Sequence, residues 1–231
     1  MESEETISQK EKIFDLKQKP FGLSYQDYVI AWWKWLISIP KDRNPDPDNT
    51  GERSAEGQDP KFPVFFLSSG NPDNKIQRKC YISSNKGIFI PIMPVEVSDK
   101  EVDEIKNMKS KPPILDYMRR KAKKDQDGVI KLYLKIDEDE YQLETLRKFR
   151  INQTYVFDVI FPSNNIYDRE PGPSKAVADG HYIIINPLSK GEHRIKWISE
   201  AICKNNEKDI NDPQCIDDNF KQDIEYIITV R

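Results

Sequence analysis

Only three cysteines, two histidines and nine glycines occur in 231 residues, and each shortage removes a class of function. No two cysteines form a C-x-x-C pair, which argues against a zinc ribbon or a thioredoxin-type redox site. A glycine-rich phosphate loop, a Gly-x-Ser-x-Gly elbow and a His-Glu-x-x-His helix are all missing, so nucleotide enzymes, motif-bearing hydrolases and zinc proteases lose support. No run approaches the ~20 apolar residues that cross a bilayer, so no membrane span is expected. The opening Met1 to Lys12 is acidic and polar, without the apolar centre of a signal peptide. The chain therefore reads as cytoplasmic as it stands, and as extracytoplasmic if its natural form is longer. Charge of one sign is scarce too. Thirty-six Lys and Arg against 39 Asp and Glu leave a net charge of −3, well interspersed, which gives no general reason to expect nucleic acid as a partner. The local exception, Arg119, Arg120, Lys121, Lys123 and Lys124, is followed at once by Asp125 and Asp127 and reads as a solvated helix face.

What the chain does have is aromatic bulk: ten Phe, ten Tyr and four Trp, enough to pack an interior. Residues 1–20 are charged and end at Pro20, which suggests a flexible N-terminal arm. Next comes a helix signal. Ser24 is placed to cap, Asp27 to return the hydrogen bond, Leu23 to staple onto Tyr28, and Pro40 to stop the helix after Ile39. Its apolar positions, including Trp32, Trp33 and Trp35, are too many for one stripe, so the helix should be covered on most of its circumference. The functional alternative is that one of these three tryptophans lines a groove for a sugar ring, a peptide or a partner chain.

After a proline-rich loop from Pro40 to Pro60, short runs bounded by turn residues read as strands: Val64 to Leu67, Lys79 to Ile82 and Gly87 to Pro94. Ser83 to Gly87 reads as a hairpin turn between the last two, and Pro91 and Pro94 push the third run toward an edge or a bulge. Residues 98–124 predict a small helical insertion, opened by a Ser98/Glu101 capping pattern and broken at Pro112 and Pro113. Alternation then resumes over Val129 to Asp137, followed by strands at Tyr155 to Phe161, Tyr182 to Ile185, Arg194 to Trp197 and Ile224 to Val230. The expectation is a mainly β protein: one antiparallel β-sandwich domain over 21–231, jelly-roll or immunoglobulin-like, with a buried Trp-rich N-terminal helix.

Trp33-Lys34-Trp35, Asn44-Pro45, Asp48, Thr50-Gly51, Gly57-Gln58 and Arg78-Lys79-Cys80 carry a resemblance, continued by Asp179-Gly180-His181-Tyr182, Pro187-Leu188, Gly191, His193 and Tyr226 to Val230. In this order the chain resembles a family of uncharacterised bacterial and archaeal proteins over roughly residues 22 to 230. The resemblance implies no established activity. Its members often look exported and often carry a cysteine at the position of Ser54 that pairs with the counterpart of Cys80. Ser54 forbids that bridge here, which the resemblance reads as a reducing compartment or reliance on Cys203 and Cys215.

From the residues themselves, Cys203 and Cys215 flank a polar segment, and a bridge between them would add about 3 kcal/mol through loop closure. In a reducing compartment all three thiols stay free. Asp46, Asp48, Thr50 and Gly51 match the opening of a calcium loop, but Gly57 stands where the closing Glu belongs; Asx-turns are the simpler account. His181 and His193, with Asp179 and Glu192, would form a metal or acid–base site if their strands were neighbours. Two functions follow. One is a non-enzymatic binding protein for a small-molecule, carbohydrate or protein partner, with calcium at the 46–51 loop as the one cofactor considered. The other is a metal-dependent or acid–base enzyme using His181 and His193.

Overall fold

The computed structural model describes residues 12–70, 75–101, 112–204, 213, 215 and 219–231. Strands dominate, in two mixed five-stranded sheets. The first, here the inner sheet, contains β1 (Val64–Phe66), β3 (Gly87–Ser98), β6 (Arg150–Ile151), β7 (Phe157–Phe161) and β8 (Gly172–Ile185), in the order β1-β3-β8-β6 with β7 also on β8. The outer sheet contains β2 (Lys75–Ile82), β4 (Val129–Ile136), β5 (Asp139–Gln142), β9 (Gly191–Ile202) and β10 (Asn219–Val230), in the order β2-β10-β9-β4-β5.

Burial explains the two strand types. In β2 exposed and buried residues alternate strictly, as they do on a sheet with one wet face. β3 and β8 are buried almost throughout, because each face of the inner sheet meets a different partner. Ile88, Ile90, Ile183 and Ile185 join Leu134, Trp197, Tyr226 and Ile228 of the outer sheet in one apolar cluster, where Trp197 and Tyr226 stack at 5.7 Å. The alternate residues Phe89, Tyr182 and Ile184 face helix α1 (Tyr25–Ser38) instead. That helix starts as its sequence predicts, with Ser24 and Asp27 forming a reciprocal capping box. Trp32, Trp33 and Trp35 are all buried, and each indole N–H has an acceptor: Leu67 O, Tyr182 Oη and Glu56 O respectively.

Several expectations are corrected. Not every strand pair is antiparallel, since the edge strands β1 and β2 run parallel to β3 and β10. The turn at Ser83–Gly87 makes no hairpin; it carries the chain from the outer sheet to the inner one. β3 is no edge strand either, lying between β1 and β8, although the bulge that its prolines suggest is there, between Pro91 and Met93. A second register shift, between Val129 and Lys131, turns Ile130 outward to 51% exposure. Of the arm expected over residues 1–20, the described part is pinned: Phe14 N donates to Ile184 O, Asn186 N to Lys12 O, and Pro20 is buried. The first helix expected in the 98–124 insertion falls mostly outside the described residues. The second is α2 (Ile114–Asp127), whose Tyr117, Met118 and Ala122 pack on Val95, Val97 and Val177 at one end of the inner sheet. Its basic run is not simply a solvated face, because Lys121 is buried and Arg120 lies over the Tyr117 ring. A short helix, α3 (Leu143–Leu146), follows β5. Among the described residues no helix is long and apolar enough to cross a membrane.

Candidate ligand cavity

A cavity of about 480 Å³ opens where α1, α2 and both sheets converge. Its walls are Trp33 of α1, Met93 to Glu96 of β3, Asp125 of α2, Ala201 of β9, Phe220 of β10 and residues from the loops at 41–47, 69–70 and 166–169. The bulge in β3 shapes this region. There the carbonyl of Ile92 is met from the outer sheet by Ser199 Oγ at 2.8 Å and Gln222 Nε2 at 2.6 Å. The next carbonyl, of Met93, accepts from Gln126 Nε2 of α2 at 3.1 Å. Buried backbone groups need partners, and these three side chains supply them without a regular ladder.

The loop that completes the wall is knotted by Asn165. This buried side chain donates to the carbonyls of Pro162 and Arg169 and accepts from the N–H groups of Tyr167 and Arg169. Tyr167 and Arg169 are thereby held at the cavity, with the guanidinium 4.5 Å from the Tyr167 ring centre and 5.2 Å from that of Phe161. Arg169 Nη1 donates to Glu96 Oε2 at 2.9 Å, and the same guanidinium pairs with Glu101. The other oxygen of Glu96 is buried with no hydrogen-bond partner among the described residues. Burial pushes the Glu96 carboxyl up from its ordinary range, against the pull of Arg169. Asp46, which accepts from Ser69 Oγ at 2.8 Å, is likewise pushed up by burial, against Arg78. Burial raises the Tyr167 hydroxyl strongly, and the charges of Asp46 and Glu96 add to the effect.

Beside this cavity, Arg78 occupies the centre of the loop proposed for calcium. Fully buried, its guanidinium donates to the carbonyl oxygens of Asp46 at 2.6 Å, Asp48 at 2.5 Å and Ser68 at 2.9 Å, and to that of Ser69. The Asp48 carboxylate faces inward on its own turn: it accepts from Thr50 N at 2.8 Å, Thr50 Oγ1 at 2.7 Å, Gly51 N at 3.1 Å and Arg53 N at 2.9 Å. Both of its oxygens are occupied, so Asp46, Asp48 and Thr50 are not arranged as a ligand set; the Asx-turn account fits instead. Several landmarks of the sequence resemblance meet in this knot. Asn44 closes the end of α1 by donating to Leu36 O and Ile39 O, Lys79 N donates to Thr50 O, and Tyr226 shares Ser68 with Arg78. Gly51, at φ +90°, is required there because a Cβ would run into the backbone of Lys79.

The two histidines lie on different sheets and share no site. His181 on β8 is buried beside Gln126, Nδ1 to Oε1 3.0 Å; burial, with the charges of Arg150 and Arg147, pushes its pKa down to about 3. Asp179 is clamped by Arg150 at 2.7 and 2.9 Å, while Glu192 pairs with Arg194. His193 on β9 sets Nδ1 2.9 Å from Asp137 Oδ2, with Nε2 3.4 Å from Ser189 Oγ. This superficially resembles a Ser-His-Asp triad. But Nε2 lies nearer the Ser189 carbonyl, at 2.9 Å, than the Ser189 hydroxyl, so the ring is not aimed at that hydroxyl as a triad histidine would be.

Cys203 and Cys215 are joined in a disulfide with Cα atoms 5.9 Å apart, and Cys80 is a buried free thiol whose pKa burial pushes up to about 12. Asp125, Cys203 and Cys215 are the one group of three close potential metal ligands among the described residues, but the disulfide leaves no thiolate in it. Of the tryptophans singled out in sequence, only Trp33 reaches the cavity; Trp32 and Trp35 serve the packing beneath the inner sheet. Glu96, Tyr167 and Arg169 escaped sequence reasoning, although the bulge-forming prolines beside Glu96 pointed to its neighbourhood. Compared with protein-family models and with curated proteins, the chain matches none.

Proposed function

We propose that this chain is a non-enzymatic binding protein, a β-sandwich with the inner and outer sheets as its two layers, that takes a small molecule into the cavity between α1, α2 and the sheets. The observation that carries this reading is the cavity itself: about 480 Å³, walled largely by apolar side chains with a few convergent polar ones. Small-molecule sites in general occupy roughly 300–1,000 Å³ and have this mixed lining. The likeness to uncharacterised bacterial and archaeal proteins belongs to the same reading, since its landmarks gather around Arg78, next to Asp46 on the cavity wall.

The test uses 1-aminoanthracene, a small neutral fluorophore. It should bind saturably at one site, and Ala201→Phe, which fills the cavity, should abolish binding while leaving the circular dichroism spectrum intact. Phe220→Ala, which removes part of the apolar wall, should weaken binding without blocking it. Unsaturable binding, or saturable binding indifferent to both changes, would remove the proposal.

A second reading has one observation in its favour. Asp46 and Glu96, two carboxyls raised by burial, share the cavity with Tyr167, as acid–base groups do in enzymes. It would replace the enzyme built on His181 and His193, whose rings the fold separates. Hydrolysis of aryl glycosides or aryl esters that Glu96→Gln abolishes is what it requires.

A further inference from the structure

Three segments distant in sequence meet at the end of α2. Asp125 stands in the last turn of that helix, Cys203 directly after β9 and Cys215 shortly before β10. A carboxylate oxygen of Asp125 and the two Sγ atoms lie within 4.8 Å of one another, with Asp125 and Cys203 buried and Cys215 half-buried.

The disulfide is not the only thing that holds this group together. Ile202 N donates to Gly128 O at 2.9 Å and Gly128 N to Asp125 O at 3.2 Å, so the end of α2 is hydrogen-bonded onto the residue before Cys203. That close approach needs glycine at 128, because a Cβ there would run into the Ile202 carbonyl. On the other strand, Asn219 pairs with Ile202 and Phe220 with Ala201, while Lys124 Nζ donates to Pro213 O at 2.8 Å. Neither cysteine therefore depends on the S–S bond alone for its place beside Asp125.

Two thiolates and a carboxylate are a donor set for zinc. Thiolate sulfur selects Zn²⁺ over Mg²⁺ and Ca²⁺, and zinc accepts carboxylate oxygen beside sulfur in a tetrahedral shell. With Zn–S of about 2.3 Å and Zn–O of about 2.0 Å, the three donor atoms would stand roughly 3.5–3.8 Å apart. That spacing falls inside the span which the group already covers. Asp125 has a further interaction within the protein. A carboxylate has about four acceptor directions, so it can keep that interaction and still ligate, and contacts of this kind orient metal ligands.

We propose that Asp125, Cys203 and Cys215 bind one zinc ion when the chain is reduced, the disulfide being the oxidised, metal-free form of the same site. A dithiol reductant opens it: two electrons and two protons pass to the sulfurs, the Cys203–Cys215 bond breaks, and the reductant closes to its own disulfide. Zn²⁺ then displaces both thiol protons to solvent and is held by two thiolates and one carboxylate, with water as fourth donor. The zinc site is independent of the ligand cavity, although Asp125 borders both.

The test titrates cobalt(II), a coloured stand-in for zinc, into the full chain after reduction by dithiothreitol and its removal under argon. One equivalent should produce the sulfur-to-cobalt charge-transfer band and the visible bands of a tetrahedral ion, and zinc should bleach both. The unreduced chain should show neither, and Cys80→Ser should leave the reduced signal unchanged. Asp125→Asn should weaken zinc at least about tenfold in competition with pyridylazoresorcinol. Should that variant fail to fold, Asp125→Glu makes the same comparison with the charge kept and the oxygens moved, and a smaller fall is expected. Four results would each overturn the proposal: no cobalt bands in a reduced chain that keeps its circular dichroism, equal bands without reduction, an affinity indifferent to the Asp125 changes, or loss of the fold on reduction.

Discussion

Arg78 and Tyr226 are direct register partners in the parallel pairing of β2 with β10, and Arg78 Nη1 donates to the Tyr226 hydroxyl at 2.8 Å while its guanidinium lies 5.4 Å from the centre of the ring. A residue on an edge strand thus turns inward, fully buried, to organise the loop between α1 and β1. Its hydrogen bonds go to carbonyl and hydroxyl oxygens, which a planar fork can satisfy simultaneously and a lysine cannot.

Arg78→Met should therefore cost about 3–5 kcal/mol of unfolding free energy, because the acceptors of Asp46, Asp48, Ser68 and Ser69 lose their donor together. Tyr226→Phe should cost about 1–2 kcal/mol. Urea denaturation of both single variants and the double variant measures the coupling, and simple additivity would show that the two side chains act independently.

The disulfide should be detectable and stabilising. Peptide mapping without reductant should recover Cys203 linked to Cys215, with Cys80 alone labelled by maleimide once the chain is unfolded. Replacing both linked cysteines by serine should lower stability by about 3 kcal/mol. Three labelled thiols in the unreduced protein would contradict the pairing.

His181 predicts a particular acid response. Its folded pKa is depressed to about 3 from an ordinary 6.5, so below pH 6.5 the unfolded chain takes up a proton that the folded chain refuses. Stability should fall as pH drops from 6.5 toward 3, by at most about 1.4 kcal/mol per unit from this group. Asp48, Asp127 and Asp137, which hydrogen bonds hold below 3.8 despite burial, add their losses at lower pH, while the raised Asp46, Glu96 and Asp179 work in the opposite sense. The difference between the wild-type protein and His181→Asn isolates the histidine. That variant should show a flatter profile between pH 6 and 4, and an unchanged slope would mean that the ring is protonated in the fold.

Local signals were legible and long-range ones were not. The Ser24/Asp27 box and Pro40 mark α1 to within a residue because capping is a matter of neighbouring atoms. Apolar runs and alternation mark parts of most strands, but β8, β9 and β10 reach well beyond the expected segments, β5 and β6 lie outside them, and alternation does not say which sheet a strand joins. Ser83–Gly87 has the composition of a hairpin turn and nevertheless connects strands of different sheets. Asp46, Asp48 and Thr50 imitate a calcium loop because turns that cap their own N–H groups use the same residue types at the same spacing. The positive charge in the loop is met by the backbone carbonyls of Asp46 and Asp48. That charge is the guanidinium of Arg78, about thirty residues away in sequence, which no local pattern reveals. Glu96, Tyr167 and Arg169 were illegible for a similar reason, being brought together only when β3 and the Asn165-knotted loop meet.

The carbonyl of Ile92 has a mechanical consequence. Its two donors, Ser199 and Gln222, belong to the opposite sheet and are themselves joined at 2.7 Å, so the layers are bolted to each other at the irregular point of β3. Sliding one layer over the other would strip that oxygen of both donors. The stretch of β3 that follows, Met93 to Glu96, borders the cavity and is thus anchored through its neighbour to the second layer.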